Sequence, residues 1–260
     1  MMSALRPRLR TYRPGDEDRI APPSAEHAGW VMAWLELAER YHRYRIEGFE
    51  HVPARGPALL VSFHSMTVID MFLLCRAIFL RDGRVVRGLT DKLVFKLPLV
   101  RDFFTTLGIV QGTQENALSL LADGQLAACM PGGGLEWSRS SSQARQLRWG
   151  DHRGYARLAI RAGVPIVPTA CPAADRAYFV PFDGWQVGTW ARALVGRGRV
   201  LPFTVAIGLL GPLPFPVQLT QHVAPPIWPD APPEAADDPL AVERLDARVR
   251  AVITELLRRG

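Results

Sequence analysis

Short apolar runs alternate along the chain with segments whose apolar residues recur every three or four positions. The runs have the length and composition of buried β-strands and lie at 58–63, 84–89, 108–110, 125–130 and 164–170. The intervening segments with helical spacing lie at 67–80, 116–121 and 151–162, with a broken helix at 92–107. Strands that alternate with helices predict an α/β fold with a mostly parallel central sheet flanked by helices.

Helical spacing also marks both ends of this region. The segment 26–44 carries an aromatic and apolar stripe, which we expect to pack in the core: Trp30, Trp34, Leu37, Tyr41 and Tyr44. Arginines close to the stripe leave open the alternative of an amphipathic helix that lies at a membrane interface. At the other end, Asp238 and Pro239 are predicted to cap a C-terminal helix at 240–258.

The remaining stretches complete the predicted domain organisation. Residues 1–24 are basic and proline-containing, which predicts a flexible arm, and residues 25–260 are predicted to form a single domain. Residues 225–239 are proline-rich and read as a connector before the last helix. Residues 176–216 are rich in aromatic residues, arginine and glycine, but their poor periodicity does not place any element.

Charge and cysteine content narrow the classes of partner. Basic residues exceed acidic ones by six, and the pI is near 9.7, which suits nucleic acid, a phospholipid surface or a phosphorylated substrate. No nucleic-acid recognition motif accompanies the charge, so we expect an anionic membrane surface rather than nucleic acid. The three cysteines show no paired spacing, and we predict neither disulfides nor a metal site. Because we find no signal-peptide pattern or membrane-spanning run, we expect a cytoplasmic protein, peripheral on the inner face of a membrane.

One histidine stands where a buried strand ends. His64 follows the apolar run 58–63, and Asp70 comes six positions later at the front of the next helix. We interpret His64 as a catalytic base and Asp70 as its orienting partner, because α/β folds place working side chains at strand ends. A competing interpretation is that Thr67 and Asp70 form a capping box, which explains the aspartate without chemistry.

Three further segments follow strands in a set order. Gly132, Gly133 and Gly134 form a tight turn whose backbone amides suit an oxyanion, and Glu136 follows directly. A simple strand-to-helix turn is the alternative for this loop. Residues 108–116 form a glycine-punctuated turn that enters a helix. The strand 164–168 contains two prolines, which suggests a strand end or a strand at an edge of the sheet, with an exposed lip near the site.

Taken in order, these segments resemble the phospholipid and glycerol acyltransferase superfamily, whose members are similar to lysophosphatidic acid acyltransferase. The resemblance covers residues 41–229 and rests on the histidine block, the Gly112 block, the Pro-Gly-Gly-Gly-Leu-Glu block and the Val-Pro-Ile-Val-Pro block. Five residues separate His64 from Asp70 where the family commonly has four, which resembles its diacylglycerol acyltransferase-like branch. Gln114 stands where the family usually has an arginine that serves the acceptor's phosphate.

The resemblance implies transfer of an acyl group from coenzyme A or acyl carrier protein to a lipid hydroxyl, without a cofactor. It implies that His64 and Asp70 are catalytic, that residues 132–134 donate to the oxyanion, and that Glu136 holds the acceptor or the loop. Weaker candidates for binding the substrates complete the set: Arg87, Lys92, Gln114 and Arg139. A lysophosphatidic acid acyltransferase and a non-catalytic lipid-binding relative remain as alternatives, and the oligomeric state stays open. A serine hydrolase is disfavoured because no Gly-x-Ser-x-Gly motif occurs.

Overall fold

The structure is a computed structural model that describes residues 25–91, 94–96, 98–195 and 203–260. Within these residues, seven strands form one sheet in the order β1-β7-β6-β2-β5-β3-β4. The strands are β1 (Arg45–Glu47), β2 (Ala58–Ser62), β3 (Val86–Thr90), β4 (Val110–Gln111), β5 (Leu126–Cys129), β6 (Ile166–Ala170) and β7 (Thr220–Val223). Neighbouring strands are parallel except for the antiparallel pair β6 and β7. The predicted α/β fold with a mostly parallel sheet is confirmed.

Helices cover both faces of the sheet. They are α1 (Ala25–Tyr41), α2 (Ile69–Asp82), α3 (Pro98–Thr106), α4 (Gln114–Ala122), α5 (Gly133–Trp137), α6 (Gly154–Ala162), α7 (Gly184–Val195) and α8 (Pro239–Arg258). One core cluster joins α4, α6 and α8 to the sheet, and the other face packs against α2. Alternate residues of β2 divide between the two clusters, since Leu59 and Val61 belong to the first and Leu60 to the second. No helix among the described residues is long and apolar enough to cross a membrane.

The N-terminal helix presents the opposite face from the one expected. Val31 and Leu35 are buried against α2 and the end of β6, whereas Trp30, Trp34 and Leu37 are about half exposed. The prediction that the stripe packs in the core is therefore wrong for Trp30, Trp34 and Leu37, whereas Tyr44 is partly buried against this cluster. The helical spacing is as predicted, but the aliphatic residues Val31 and Leu35 occupy the inner face of α1, and the aromatic side chains of Trp30 and Trp34 lie on the outer face.

Two local predictions near the site are also wrong. The N-cap of α2 is Val68, in the left-handed conformation with φ 51° and without a side-chain cap, so Thr67 and Asp70 do not form a capping box. Strand β6 is interior, between β7 and β2, rather than at an edge. Its Pro168 is tolerated there because the β7 ladder pairs only Thr169 and Ala170, which leaves no donor required at the proline.

The C-terminal helix α8 forms largely as predicted. Asp238 is the N-cap of α8, its side chain accepts a hydrogen bond from the Leu240 N–H at 3.0 Å, and Pro239 occupies the first turn. The apolar residues of this helix that recur at helical spacing, Val242, Leu245, Val249 and Leu256, are buried. The elements of the region 176–216 could not be assigned from the sequence. The region contains α7 and a hairpin at 203–215, and Ile207 of the hairpin forms an antiparallel bridge with Phe179, which precedes α7. The predicted arm 1–24 and Lys92 lie outside the described residues.

Candidate active site

His64 lies in the loop between β2 and α2, at the carboxyl edge of the parallel strands. Its Nδ1 is 2.7 Å from the backbone carbonyl oxygen of Ser65. A carbonyl only accepts hydrogen bonds, so Nδ1 carries the proton and Nε2 keeps its lone pair in the neutral ring. Nε2 has no hydrogen-bond partner among the described residues. The backbone thus selects the tautomer that a general base needs.

The surroundings keep this imidazole neutral. Burial lowers the pKa of His64 to about 4, and the nearby Arg139 guanidinium acts in the same direction, while the hydrogen bond to Ser65 opposes it. The ring is therefore unprotonated at neutral pH and able to accept a proton at Nε2.

Asp70 reaches the histidine through Ser65 rather than directly. Its Oδ1 accepts a hydrogen bond from the Ser65 hydroxyl at 2.6 Å, and the same hydroxyl oxygen accepts one from the Val68 N–H at 3.1 Å. Burial raises the pKa of Asp70 to about 6, and the Ser65 hydrogen bond counters part of that rise. Asp70 therefore fixes the 65–68 turn, whose carbonyl group orients the imidazole. No pattern in the sequence indicates that the Ser65 hydroxyl links the His64 turn to Asp70.

Glu136 is fully buried and holds the site together. Its Oε2 accepts hydrogen bonds from the His64 N–H at 2.9 Å and from Trp149 Nε1 at 3.1 Å, and its Oε1 accepts one from the Arg148 N–H at 2.9 Å. Burial raises the pKa of this carboxyl to about 7, and the donors pull it down. Of the two roles that the resemblance implied, the geometry supports holding the loop, since the carboxyl does not reach the surface.

The glycine loop packs directly against this carboxyl. A Cβ on Gly132 would lie 2.2 Å from side-chain carbons of Glu136, so only glycine fits there. Gly133 has a φ of 44°, in the left-handed region, and its N–H donates to the Met130 carbonyl. The N–H groups of Gly132 and Gly134 have no acceptor within the described part of the chain. These two amides remain able to donate to an oxyanion.

Arg139 is a structural residue rather than a contact for an anionic substrate. It is buried, makes a two-pronged ion pair with Asp175 at 2.5 and 3.1 Å, and donates to the His64 carbonyl at 3.0 Å. Its guanidinium also lies 4.0 Å from the centre of the Phe63 ring. Its donors serve Asp175 and the backbone around His64, which favours a structural role over the predicted contact with substrate. The sequence did not reveal Asp175 as its partner.

The other weak candidates do not gather at the histidine. Arg87 is buried on β3 and donates to the Gly108 carbonyl at 2.7 Å and to the Gln125 side chain at 3.0 Å, so it braces the sheet. Gln114, at the start of α4, donates to the Gly154 carbonyl at 2.8 Å and links α4 to α6. The structure therefore gives both side chains roles within the fold, and it does not place either of them beside His64.

A support that the sequence did not reveal comes from the C-terminal helix. Trp149 is fully buried, and the Arg250 guanidinium lies 5.2 Å from the centre of its ring. Arg250 also donates a hydrogen bond to the Gly150 carbonyl at 2.9 Å. Asp246 on the same helix accepts from Arg250 at 2.7 Å. Helix α8 therefore clamps the tryptophan that donates to Glu136.

Comparison with known proteins agrees with this geometry. A family model described as Acyltransferase matches residues 43–172, half of the chain's 260 residues. A Bos taurus protein named "DGAT1/2-independent enzyme synthesizing storage lipids" is 33% identical over 223 residues, which cover 85% of this chain and 62% of that protein. An uncharacterized protein of Mycobacterium tuberculosis is 30% identical over 228 residues, with 84% and 62% covered. The chain thus spans less than two thirds of the length of these relatives.

A solved structure shares the fold. The 1-acyl-sn-glycerophosphate (LPA) acyltransferase PlsC from Thermotoga maritima superposes with a TM-score of 0.53 at 16% identity, covering 95% of this chain and 84% of that one. The matching region runs from the end of α1 past the carboxyl end of β6 and includes the histidine, the glycine loop and Glu136. The chain belongs to the acyltransferase family.

Proposed function

We propose that this protein transfers a fatty acyl group from an acyl thioester, on coenzyme A or acyl carrier protein, to a lipid hydroxyl. One observation supports this most directly. Nδ1 of His64 donates to the Ser65 carbonyl, which leaves Nε2 as a base at the carboxyl edge of the sheet. The same backbone is held by Glu136, whose carboxyl packs against the glycine loop.

In the proposed reaction, Nε2 of His64 removes the proton of the acceptor hydroxyl as its oxygen attacks the thioester carbonyl. The tetrahedral intermediate carries an oxyanion, to which the N–H groups of Gly132 and Gly134 donate. Collapse breaks the carbon–sulfur bond, and the imidazolium returns its proton to the leaving thiolate. Asp70 acts through Ser65 by keeping the ring in its reactive tautomer, so no covalent enzyme intermediate is required.

Three side chains favour a neutral lipid alcohol, such as an acylglycerol, as the acceptor. Arg87 and Arg139 are buried and engaged by protein groups, and Gln114 carries no charge. None of these three provides a cation for an acceptor's phosphate. The name of the bovine relative, which refers to synthesis of storage lipids, agrees with a neutral acceptor. Since such acceptors reside in bilayers, we place the protein in the cytoplasm, on the inner face of a membrane.

An acceptor screen tests this proposal. Purified protein is given labelled acyl-coenzyme A or acyl carrier protein with vesicles that contain monoacylglycerol, diacylglycerol or lysophosphatidate. We expect label in the product of a neutral acceptor. Preference for lysophosphatidate would instead indicate a lysophospholipid acyltransferase of phospholipid synthesis. Binding to vesicles without transfer or hydrolysis of any thioester would indicate a non-catalytic lipid-binding relative.

A further inference from the structure

Residues 203–215 form an apolar and largely exposed hairpin on the surface of the protein. The sequence contains no charged residue from Val200 to Gln221. Bridges join Leu209 to Leu213 and Gly208 to Gly211, so the chain turns back tightly at its tip. A surface loop of this length normally carries charged or polar residues, so an uncharged tip needs an explanation.

The tip is both exposed and strained. Leu210 is 86% exposed, and its φ of 53° lies in the left-handed region, which glycine or asparagine adopts more easily. Leu213 beside it is 52% exposed. A leucine in this conformation costs stability, and the folded chain returns no packing for it. We therefore expect the Leu210 side chain to contact a partner outside the chain.

The hairpin continues into the exposed face of α1. The Tyr41 hydroxyl donates to the Pro214 carbonyl at 2.6 Å, and Arg43 donates to the Pro216 carbonyl at 3.2 Å. The exposed aromatic residues of α1 extend this apolar surface along the helix. Arg43 and Arg45 are exposed at the same end of α1, and neither has a carboxylate partner among the described residues. Apolar and aromatic side chains beside unpaired arginines match the chemistry of an anionic bilayer surface.

The geometry points to the hairpin 203–215, together with the exposed face of α1, as the surface that inserts into an anionic lipid bilayer. This inference deepens the membrane location proposed above and names the residues responsible. The leucines of the tip enter the acyl-chain boundary, and Arg43 and Arg45 meet the anionic headgroups. Aromatic side chains of α1 lie at the headgroup level between them.

The same arrangement turns the active site towards the bilayer. Asp175, which holds Arg139 against the His64 carbonyl, lies four residues before Phe179, the partner of Ile207 at the base of the hairpin. Because β7 runs antiparallel to β6, the hairpin that precedes β7 lies towards the carboxyl edge of β6, the edge at which the His64 loop also lies. A lipid alcohol would reach His64 from the membrane without crossing bulk water.

Vesicle flotation tests the inference in the absence of any acyl thioester. The full chain is mixed with vesicles of phosphatidylcholine alone or with phosphatidylglycerol added. We expect Leu210→Asn to reduce partitioning about tenfold or more, because a buried leucine contributes strongly to transfer from water. We also expect its melting temperature to stay equal or rise, since asparagine tolerates the left-handed conformation. The matched control is Leu240→Asn, at a 64% exposed leucine on α8, which should bind vesicles like the unmodified chain.

Charge is tested separately. Arg43→Gln and Arg45→Gln should each weaken binding to phosphatidylglycerol vesicles about fivefold and leave binding to phosphatidylcholine unchanged. Unchanged partitioning of Leu210→Asn would overturn the inference. So would conversion of an oligomer to a monomer by that variant with vesicle binding intact, which would assign the surface to a second copy. Normal vesicle binding by His64→Ala keeps this result distinct from any failure of the proposed catalysis.

Discussion

Glu136 offers a sharp test of how the site is held together, through the substitution Glu136→Gln. The carboxylate accepts three hydrogen bonds, two at Oε2 and one at Oε1. In the best orientation, the glutamine oxygen takes the place of Oε2 and still accepts from His64 and Trp149. The amide nitrogen then faces the Arg148 N–H, so that this buried donor loses its acceptor, and the amide adds two buried N–H donors of its own.

The cost follows from that count. One buried unsatisfied donor destabilises a protein by about 1–3 kcal/mol. For a domain of this size, about 2–4 °C of melting temperature corresponds to each kcal/mol, so the Arg148 N–H alone should lower the melting temperature by roughly 2–12 °C, and the added amide donors should lower it further. Activity should fall as well, because the Glu136 carboxyl anchors the backbone of the catalytic base.

Thermal and urea unfolding followed by circular dichroism measure the change. Glu115→Gln is the matched control, since Glu115 is exposed on α4, and it should alter the free energy of unfolding by less than about 0.5 kcal/mol. If Glu136→Gln were as stable as this control, the three hydrogen bonds of Glu136 would not contribute to the free energy of unfolding as we expect.

The remaining predictions concern the catalytic turn and the glycine loop. Asp70→Asn still accepts from the Ser65 hydroxyl, so it should retain acyl transfer within about tenfold, whereas Asp70→Ala should lose it; a loss of about 10⁴ in Asp70→Asn would indicate direct pairing with His64 instead. Because the pKa of His64 is lowered to about 4, the neutral ring contributes stability that is present above about 6.5 and lost as the pH falls through about 4. An NMR titration of the His64 ring should give a midpoint near pH 4, and a midpoint near 6.5 would contradict this. Gly132→Ala places a methyl group on the Glu136 carboxyl and should lower both the melting temperature and kcat, and a fully active, stable variant would contradict the packing.

Much of the fold was predictable because it depends on patterns that are local in the sequence. Buried strands that alternate with amphipathic helices identify the parallel α/β sheet. The cap of α8 by Asp238 and Pro239 is equally local. The orientation of α1 was not predictable, because periodicity shows that a helix has two faces but does not show which face packs against the rest of the protein. There the aromatic side chains of Trp30 and Trp34 face outward.

The site was predictable in its residues and less so in its contacts. The histidine and the glycine loop each lie next to a strand end, which the sequence displays. The partners of Arg139 and Glu136 come from segments that are distant along the chain, including Asp175 and Trp149. A basic residue near a candidate site suggests an anionic substrate, but burial against such partners decides otherwise. The spacing of five residues between His64 and Asp70 likewise does not show that the Ser65 hydroxyl forms the link to Asp70.

The central claim is that Nε2 of His64 acts as the general base, and turnover of purified His64→Ala tests it most directly. Labelled acyl-coenzyme A is supplied with diacylglycerol vesicles, and the matched control is His51→Ala. Nδ1 of His51 also lies against a backbone carbonyl, that of Val223 at 2.9 Å, but at the opposite end of the sheet. We predict that His64→Ala folds and loses acyl transfer while His51→Ala keeps it. Near-normal turnover by folded His64→Ala would contradict the mechanism.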